Sequence, residues 1–137
     1  MANKQKAKGT AFETAVKKLL LENGIESRRL ALSGSKDVGD LEITEPFLAI
    51  VEAKAYKNAL TEKQEEEFRS QTEVEQLNYK EAFRVPGDVK GLLITKSTGQ
   101  SIARSRVQFY STRYNCWVEV RLGDFVKCYK EILNDIR

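Results

Sequence analysis

Asp40, Glu52 and Lys54 are the residues whose types and spacing first point to chemistry. Two short apolar runs, Leu41 to Ile43 and Phe47 to Val51, flank Thr44-Glu45-Pro46. Apolar runs separated by a turn signal predict a β-hairpin. A turn centred near Glu45-Pro46 sets position 40 opposite position 52, and opposed residues hold their Cβ atoms about 5 Å apart. Glu52 and Lys54, two apart on one strand, share a face. The pattern gathers two carboxylates and one amine at the open end of a hairpin. Close carboxylates repel unless they share a proton or bind a cation. Oxygen-only ligands suit a hard ion such as Mg²⁺, and a lysine beside them can hold a phosphate or an attacking hydroxide. A surface hairpin with solvated polar ends is the plainer alternative, because Glu-x-Lys alone is a three-residue pattern.

Composition narrows what those residues can do. The 137-residue chain has no histidine. That excludes Ser-His-Asp triads, His-based nuclease motifs and zinc sites with imidazole ligands, so carboxylates and lysines must carry any catalysis. Cys116 and Cys128 form no Cys-x-x-Cys pair and read as buried thiols of a cytosolic protein. No apolar run approaches the roughly 20 residues of a membrane span. No apolar stretch follows the N-terminal lysines as a signal peptide requires. The expected location is therefore the cytoplasm, with no membrane partner and no small-molecule cofactor. Net charge is +3, unevenly spread. Seven of the 20 acids but only four of the 23 bases fall in residues 61–84, leaving 19 bases against 13 acids elsewhere. Such an excess suits a polyanion, although it is also common in ordinary surfaces.

The elements that must position the hairpin follow in order. Residues 1–9, with Lys4, Lys6 and Lys8, read as a flexible basic N-terminal arm, either touching phosphate or simply solvated. Residues 10–137 form one domain. A helix is predicted from about Thr10 to Asn23, with Phe12, Val16, Leu19 and Leu20 at helical spacing and Gly24 as its stop. Thr10-Ala-Phe-Glu13 matches a capping box, in which Glu13 reaches back to the helix start. Alternatively Glu13 faces inward as a metal ligand. Ile25 to Leu32 reads as a strand whose alternation sends Arg28 and Arg29 to opposite faces, so at most one points at the site. Ser33 to Gly39 is a loop in which backbone amides and Lys36 grip a phosphate, or a plain flexible loop. Residues 55–71 show no apolar face and read as a solvated acidic excursion, with Thr61-x-x-Gln64 able to cap a short helix. Thr72-Glu-Val-Glu75 should open a helix to about Arg84, stopped by Pro86-Gly87. Val89 to Thr95 is a compact apolar strand expected at the sheet centre. Val107 to Thr112 and Cys116 to Leu122 are further strands. A last helix should carry Phe125, Cys128, Tyr129, Ile132 and Ile136 on one face.

These residues resemble the PD-(D/E)xK nuclease superfamily. Glu52-Ala53-Lys54 matches Glu-x-Lys, and Gly39-Asp40 stands where the family has Pro-Asp. Lys8-Gly-Thr-Ala-Phe-Glu13 matches, residue for residue, the Lys-Gly-x-x-Phe-Glu motif of its resolvase-like branch. A Ser/Gly/Lys loop like Ser33-Gly-Ser35-Lys36 precedes the aspartate in archaeal-type Holliday junction resolvases. The resemblance covers about residues 7–136, with specific motifs only in 8–54. It implies an α/β, restriction-endonuclease-like sandwich with a mixed central β-sheet flanked by helices. It further implies a Mg²⁺-dependent endodeoxyribonuclease, with Mn²⁺ as substitute, that resolves four-way DNA junctions to 5′-phosphate and 3′-hydroxyl ends. Glu13, Asp40, Glu52 and Lys54 would be catalytic. Glu13, Asp40, Glu52 and the Ala53 carbonyl would hold metal, and Lys8, Arg28, Arg29, Ser33, Ser35 and Lys36 would contact DNA. Gln76 matches a glutamine that some superfamily members place near the active lysine; a surface glutamine is the plainer reading. A homodimer is expected, since one site cuts one strand and a junction needs two cuts. Another DNA nuclease of the superfamily, restriction-like or RecB-like, and a non-catalytic nucleic-acid-binding module on the same fold are the alternatives.

Overall fold

The computed structural model describes the backbone of residues 2–31 and 36–137 and the side chains of 10–31 and 36–137. Its order is α1 (Ala2–Glu22), β1 (Arg28–Arg29), β2 (Leu41–Ile43), β3 (Ala49–Tyr56), α2 (Glu62–Ala82), β4 (Lys90–Ser97), β5 (Arg106–Ser111), β6 (Cys116–Arg121), α3 (Leu122–Lys127) and α4 (Tyr129–Asn134). The six strands lie side by side in chain order. All neighbours are antiparallel except β3 and β4, which run parallel around the α2 crossover. The protein is therefore an α/β fold with a mixed six-stranded sheet flanked by helices.

Strand alternation divides the core in two. Ala49, Val51 and Ala53 of β3, with Leu92 and Ile94 of β4, face one cluster. The α1 stripe Phe12, Val16 and Leu20, spaced four apart, fills it together with Leu122, Phe125, Leu133 and Ile136 from the C-terminal segment. Ile50 points the other way and meets Val38, Tyr79 of α2 and Val89. Both faces of the central strands are covered, so Gly91 to Thr95 are buried without a break, as a parallel pair between helices requires. Among the described residues no helix is long and apolar enough to cross a membrane.

The hairpin register is the expected one. Leu41 pairs with Val51 and Ile43 with Ala49, which places Asp40 across from Glu52. Several other elements differ from expectation. The α1 helix begins at Ala2, so Thr10 lies inside it and its carbonyl accepts from the Thr14 hydroxyl one turn on. A capping box at Thr10 is thereby overturned, and Glu13 has no helix start to reach. The first strand is only Arg28–Arg29, and Leu32 lies outside the described residues. The stretch 62–82 is one 21-residue helix and not an acidic excursion followed by a second helix. Its cap is the Thr61–Gln64 box, both halves of which are made. Thr72 sits mid-helix and bonds back to the Phe68 carbonyl at 2.8 Å, so the motif at 72–75 opens nothing. The last helix is two short ones that break at Cys128. Cys116 and Cys128 are exposed free thiols, which corrects their assignment to the interior.

Candidate functional site

The sheet hands three candidate side chains, Asp40, Glu52 and Lys54, to the α2 face at the open end of the β2–β3 hairpin. The Asp40 backbone N–H donates to Val51 O at 2.8 Å, closing the hairpin. Its carboxylate then accepts from the Ala53 N–H, also at 2.8 Å. Glu52, on the same face as Ile50, is only 2% exposed. Lys54, one alternation further, places its ammonium 3.2 Å from Glu52 Oε1 and 5.4 Å from the centre of the Phe68 ring. The aromatic face and the carboxylate hold the cation from two sides.

The α2 helix brings a fourth acid that sequence reasoning missed. Glu75 is 1% exposed, and one oxygen each of Asp37, Glu52 and Glu75 lie within 4.8 Å of one another. Asp37, the least buried, is fixed by its loop: its Oδ1 accepts from the Gly39 N–H at 2.9 Å, and its carbonyl accepts from Asn78 Nδ2 at 2.9 Å. Three carboxylates from a loop, a strand and a helix thus converge, and such a cluster can hold a metal ion. Glu75 is recognisable only once 62–82 is taken as a single helix. Phe68, Thr72, Glu75 and Tyr79 then form one inward stripe, and a glutamate on such a stripe needs a reason to be there.

Electrostatics give the acids their character. Burial first, and then the charge of Glu52, push Asp40 up to about 7 against the lowering effect of the Ala53 hydrogen bond. Burial and the contact with Glu52 drive Glu75 up to about 10. Two carboxylates have no donor between them, so that contact is a hydrogen bond only while a proton sits on it. With both ionised, Glu52 Oε2 and both Glu75 oxygens are buried without a partner among the described residues. Burial works against the Lys54 ammonium, but Glu52, then Asp40 and Glu75, outweigh it and hold its pKa above the usual lysine value. Glu13, half-buried on α1, is raised by burial, lowered by Arg29 and raised again by Glu52. It is close enough to feel the cluster without touching it. Groups perturbed by burial together with specific charged neighbours concentrate at functional sites.

The orphaned oxygens test what the site fits. Buried unpartnered carboxylate oxygens are costly, and an all-oxygen set matches a hard divalent cation and not a soft one. The residues present therefore fit such an ion.

The expected nucleic-acid residues are placed as follows. Arg29 turns toward α1, where it donates to Thr10 O at 3.0 Å and to the Thr14 hydroxyl. Arg28 turns the other way and pairs with buried Glu42 at 3.0 Å, itself bonded to the Tyr79 hydroxyl. Alternation thus sends one arginine toward Glu13 and the other away. Lys36 pairs with Glu81 at 3.5 Å, both largely exposed. Ser33 and Ser35 lie outside the described residues, as does the Lys8 side chain. Gln76 is half-buried at the surface, where its Nε2 donates to Val89 O at 2.7 Å and to the carbonyl of Arg137 at 3.2 Å. Comparison with family models, with curated proteins and with solved structures returned no match.

Proposed function

We propose that the chain is a metal-dependent DNA endonuclease with a restriction-endonuclease-like sandwich, of the kind represented by archaeal-type and phage Holliday junction resolvases. One observation carries the reading: the hairpin register sets Asp40 across from Glu52, with Lys54 paired to that same glutamate. Glu13, Asp40 and Glu52, with the Ala53 carbonyl, would hold Mg²⁺, or Mn²⁺ in its place. A divalent ion bound there stabilises negative charge on the attacking and leaving oxygens of a phosphodiester. Lys54 remains protonated, so it offsets phosphate charge and orients a water by donating to it; its raised pKa makes it a poor proton acceptor at neutral pH. Asp40, whose pKa burial and Glu52 raise to about 7, would exchange its proton readily for a bound cation beside the buried Glu52. Arg28 and Lys36 keep more than half of their side-chain surface exposed, open to a DNA backbone.

The decisive experiment offers a labelled four-way junction, a linear duplex and single-stranded DNA, with Mg²⁺, with Mn²⁺ and with excess chelator. Cleavage of the junction to 5′-phosphate and 3′-hydroxyl ends, lost in chelator, is expected. Equal cutting of duplex and junction would move the reading to another nuclease of the superfamily. Metal-dependent binding without cleavage of any substrate would leave a non-catalytic binding module.

A further inference from the structure

We propose that Asp37, Glu52 and Glu75 form a second divalent-cation position, supplied in part by α2, with Glu52 shared between it and the hydrolytic centre. The hydrolytic centre is drawn from β2, β3 and α1 and uses neither Asp37 nor Glu75. These two acids reach Glu52 from elements the hydrolytic centre does not use, one from the loop before β2 and one from the middle of a 21-residue helix.

The geometry asks for a ligand there. Glu75 is 1% exposed, and both of its oxygens lack a partner among the described residues. Glu52 Oε2 is likewise buried and unpartnered among them. Lys54 does not fill the need, because its ammonium is engaged with Glu52 Oε1. Burial of a charged carboxylate without hydrogen bonds or counter-charge is among the most costly arrangements a fold can hold. A proton shared between Glu75 and Glu52 relieves two of these oxygens; a cation relieves all three at once. The three oxygens lie within 4.8 Å of one another, and small carboxylate rotations would close them on one ion that binds oxygen at about 2.0–2.1 Å. The ligand class is a hard divalent cation, Mg²⁺ or Mn²⁺, its remaining coordination completed by water on the less buried Asp37 side.

The fold also prepares the position from behind. Asn78, three residues beyond Glu75, donates to the Asp37 carbonyl, so the helix that supplies one acid also holds the loop that supplies another. Asn78 is a positioning residue for that loop. The shared glutamate would set the two ions side by side, the arrangement in which both the attacking and the leaving oxygen of a phosphodiester can be neutralised. The role of the second ion in hydrolysis rests on the proposed nuclease function; its existence does not.

The test is a Mn²⁺ titration of the full chain by calorimetry, with electron paramagnetic resonance counting bound ions and circular dichroism confirming the fold. Wild type should bind two ions per chain. Glu75→Gln and Asp37→Asn should each bind one, or bind the second at least about tenfold more weakly, while Asp40→Asn should retain the position at Glu75. Two variants guard against misfolding, since Asp37 lies at the rim and Glu75→Gln is nearly isosteric. Wild-type stoichiometry and affinity in both variants would overturn the proposal. A protein that loses an ion with Glu75→Gln yet cuts no DNA would uphold the cation position and remove the nuclease reading.

Discussion

Each carboxylate in the cluster takes its character from its surroundings. Glu75 passes from an ordinary 4.5 in the unfolded chain to about 10 in the fold. At neutral pH the metal-free fold therefore holds a proton that the unfolded chain has released. Its contribution to stability is complete below the unfolded value, declines as pH rises above it, and is gone once pH passes the folded value. Chelator-treated protein should lose stability between about pH 5 and about pH 10, and Glu75→Gln, which stays neutral, should flatten the loss. Urea melts across that range read it; parallel pH profiles for the two proteins would place the proton elsewhere. Catalysis is tested by Asp40→Asn, Glu52→Gln and Lys54→Ala, each expected to lower cleavage by at least about a hundredfold while leaving the fold intact. Asparagine still offers Asp40's oxygen to the Ala53 N–H, so the hairpin should survive that change. Glu13→Gln separates a role in the site from a structural one: with no capping box to preserve, wild-type cleavage by this variant would take Glu13 out of the site.

At the level of elements, α2 carries the acidic stretch of the sequence to the candidate site. Its N-terminal turns settle on the sheet through polar and aromatic contacts. Arg106 pairs with both Glu65 and Glu119, Arg69 donates to Gln108 at 2.8 Å and lies over Trp117, and Phe68 lies beneath Lys54. Its middle turns deliver Glu75, and the adjacent Gln76 lies against Gly91 of β4. A Cβ on Gly91 would overlap the Gln76 side chain. Gly91→Ala should therefore cost about 1–3 kcal/mol by forcing that side chain aside. The double variant Gly91→Ala with Gln76→Ala should destabilise by less than the sum of the two single changes. Thermal melts of the four proteins decide it, and strict additivity would show that the two positions do not meet.

For the whole molecule, resolution of a junction requires two cuts related by symmetry, and a two-fold homodimer supplies the second site. Phe109, Tyr110, Tyr114 and Phe68 are the aromatic residues the sequence offers for pairing; Phe109 belongs to the core, Tyr110 is half-buried, and Phe68 is half-buried beneath Lys54. Tyr114 remains, 65% exposed, and α2 adds Leu77 at 69% and Val74 at 53%. Light scattering at micromolar concentration should find a dimer, and junction affinity should fall steeply with salt as counterions are released. A monomer that cuts duplex as readily as junctions would end the resolvase assignment and leave the nuclease chemistry standing.

The sequence by itself carried the local pairings. Leu41 to Ile43 and the run ending at Val51, with a turn between them, determine a register, and the register alone puts Asp40 across from Glu52 and Lys54 two residues on. The apolar run around Leu92 marks the central strand, and the four-residue spacing of Phe12, Val16 and Leu20 marks α1, because burial imposes these periods on the chain itself. Only the tertiary structure decided α2. Residues 62–71 have no apolar stripe, so their helicity depends on Arg106 and Gln108 of β5 and Trp117 of β6 meeting Glu65 and Arg69 from the sheet. Thr72 and Glu75 look like a helix start because a capping box and an inward-facing pair share one spacing. The convergence of Asp37 and Glu75 on Glu52 joins residues up to 38 positions apart, and no local pattern records it, since the contact exists only after α2 has crossed back over the sheet.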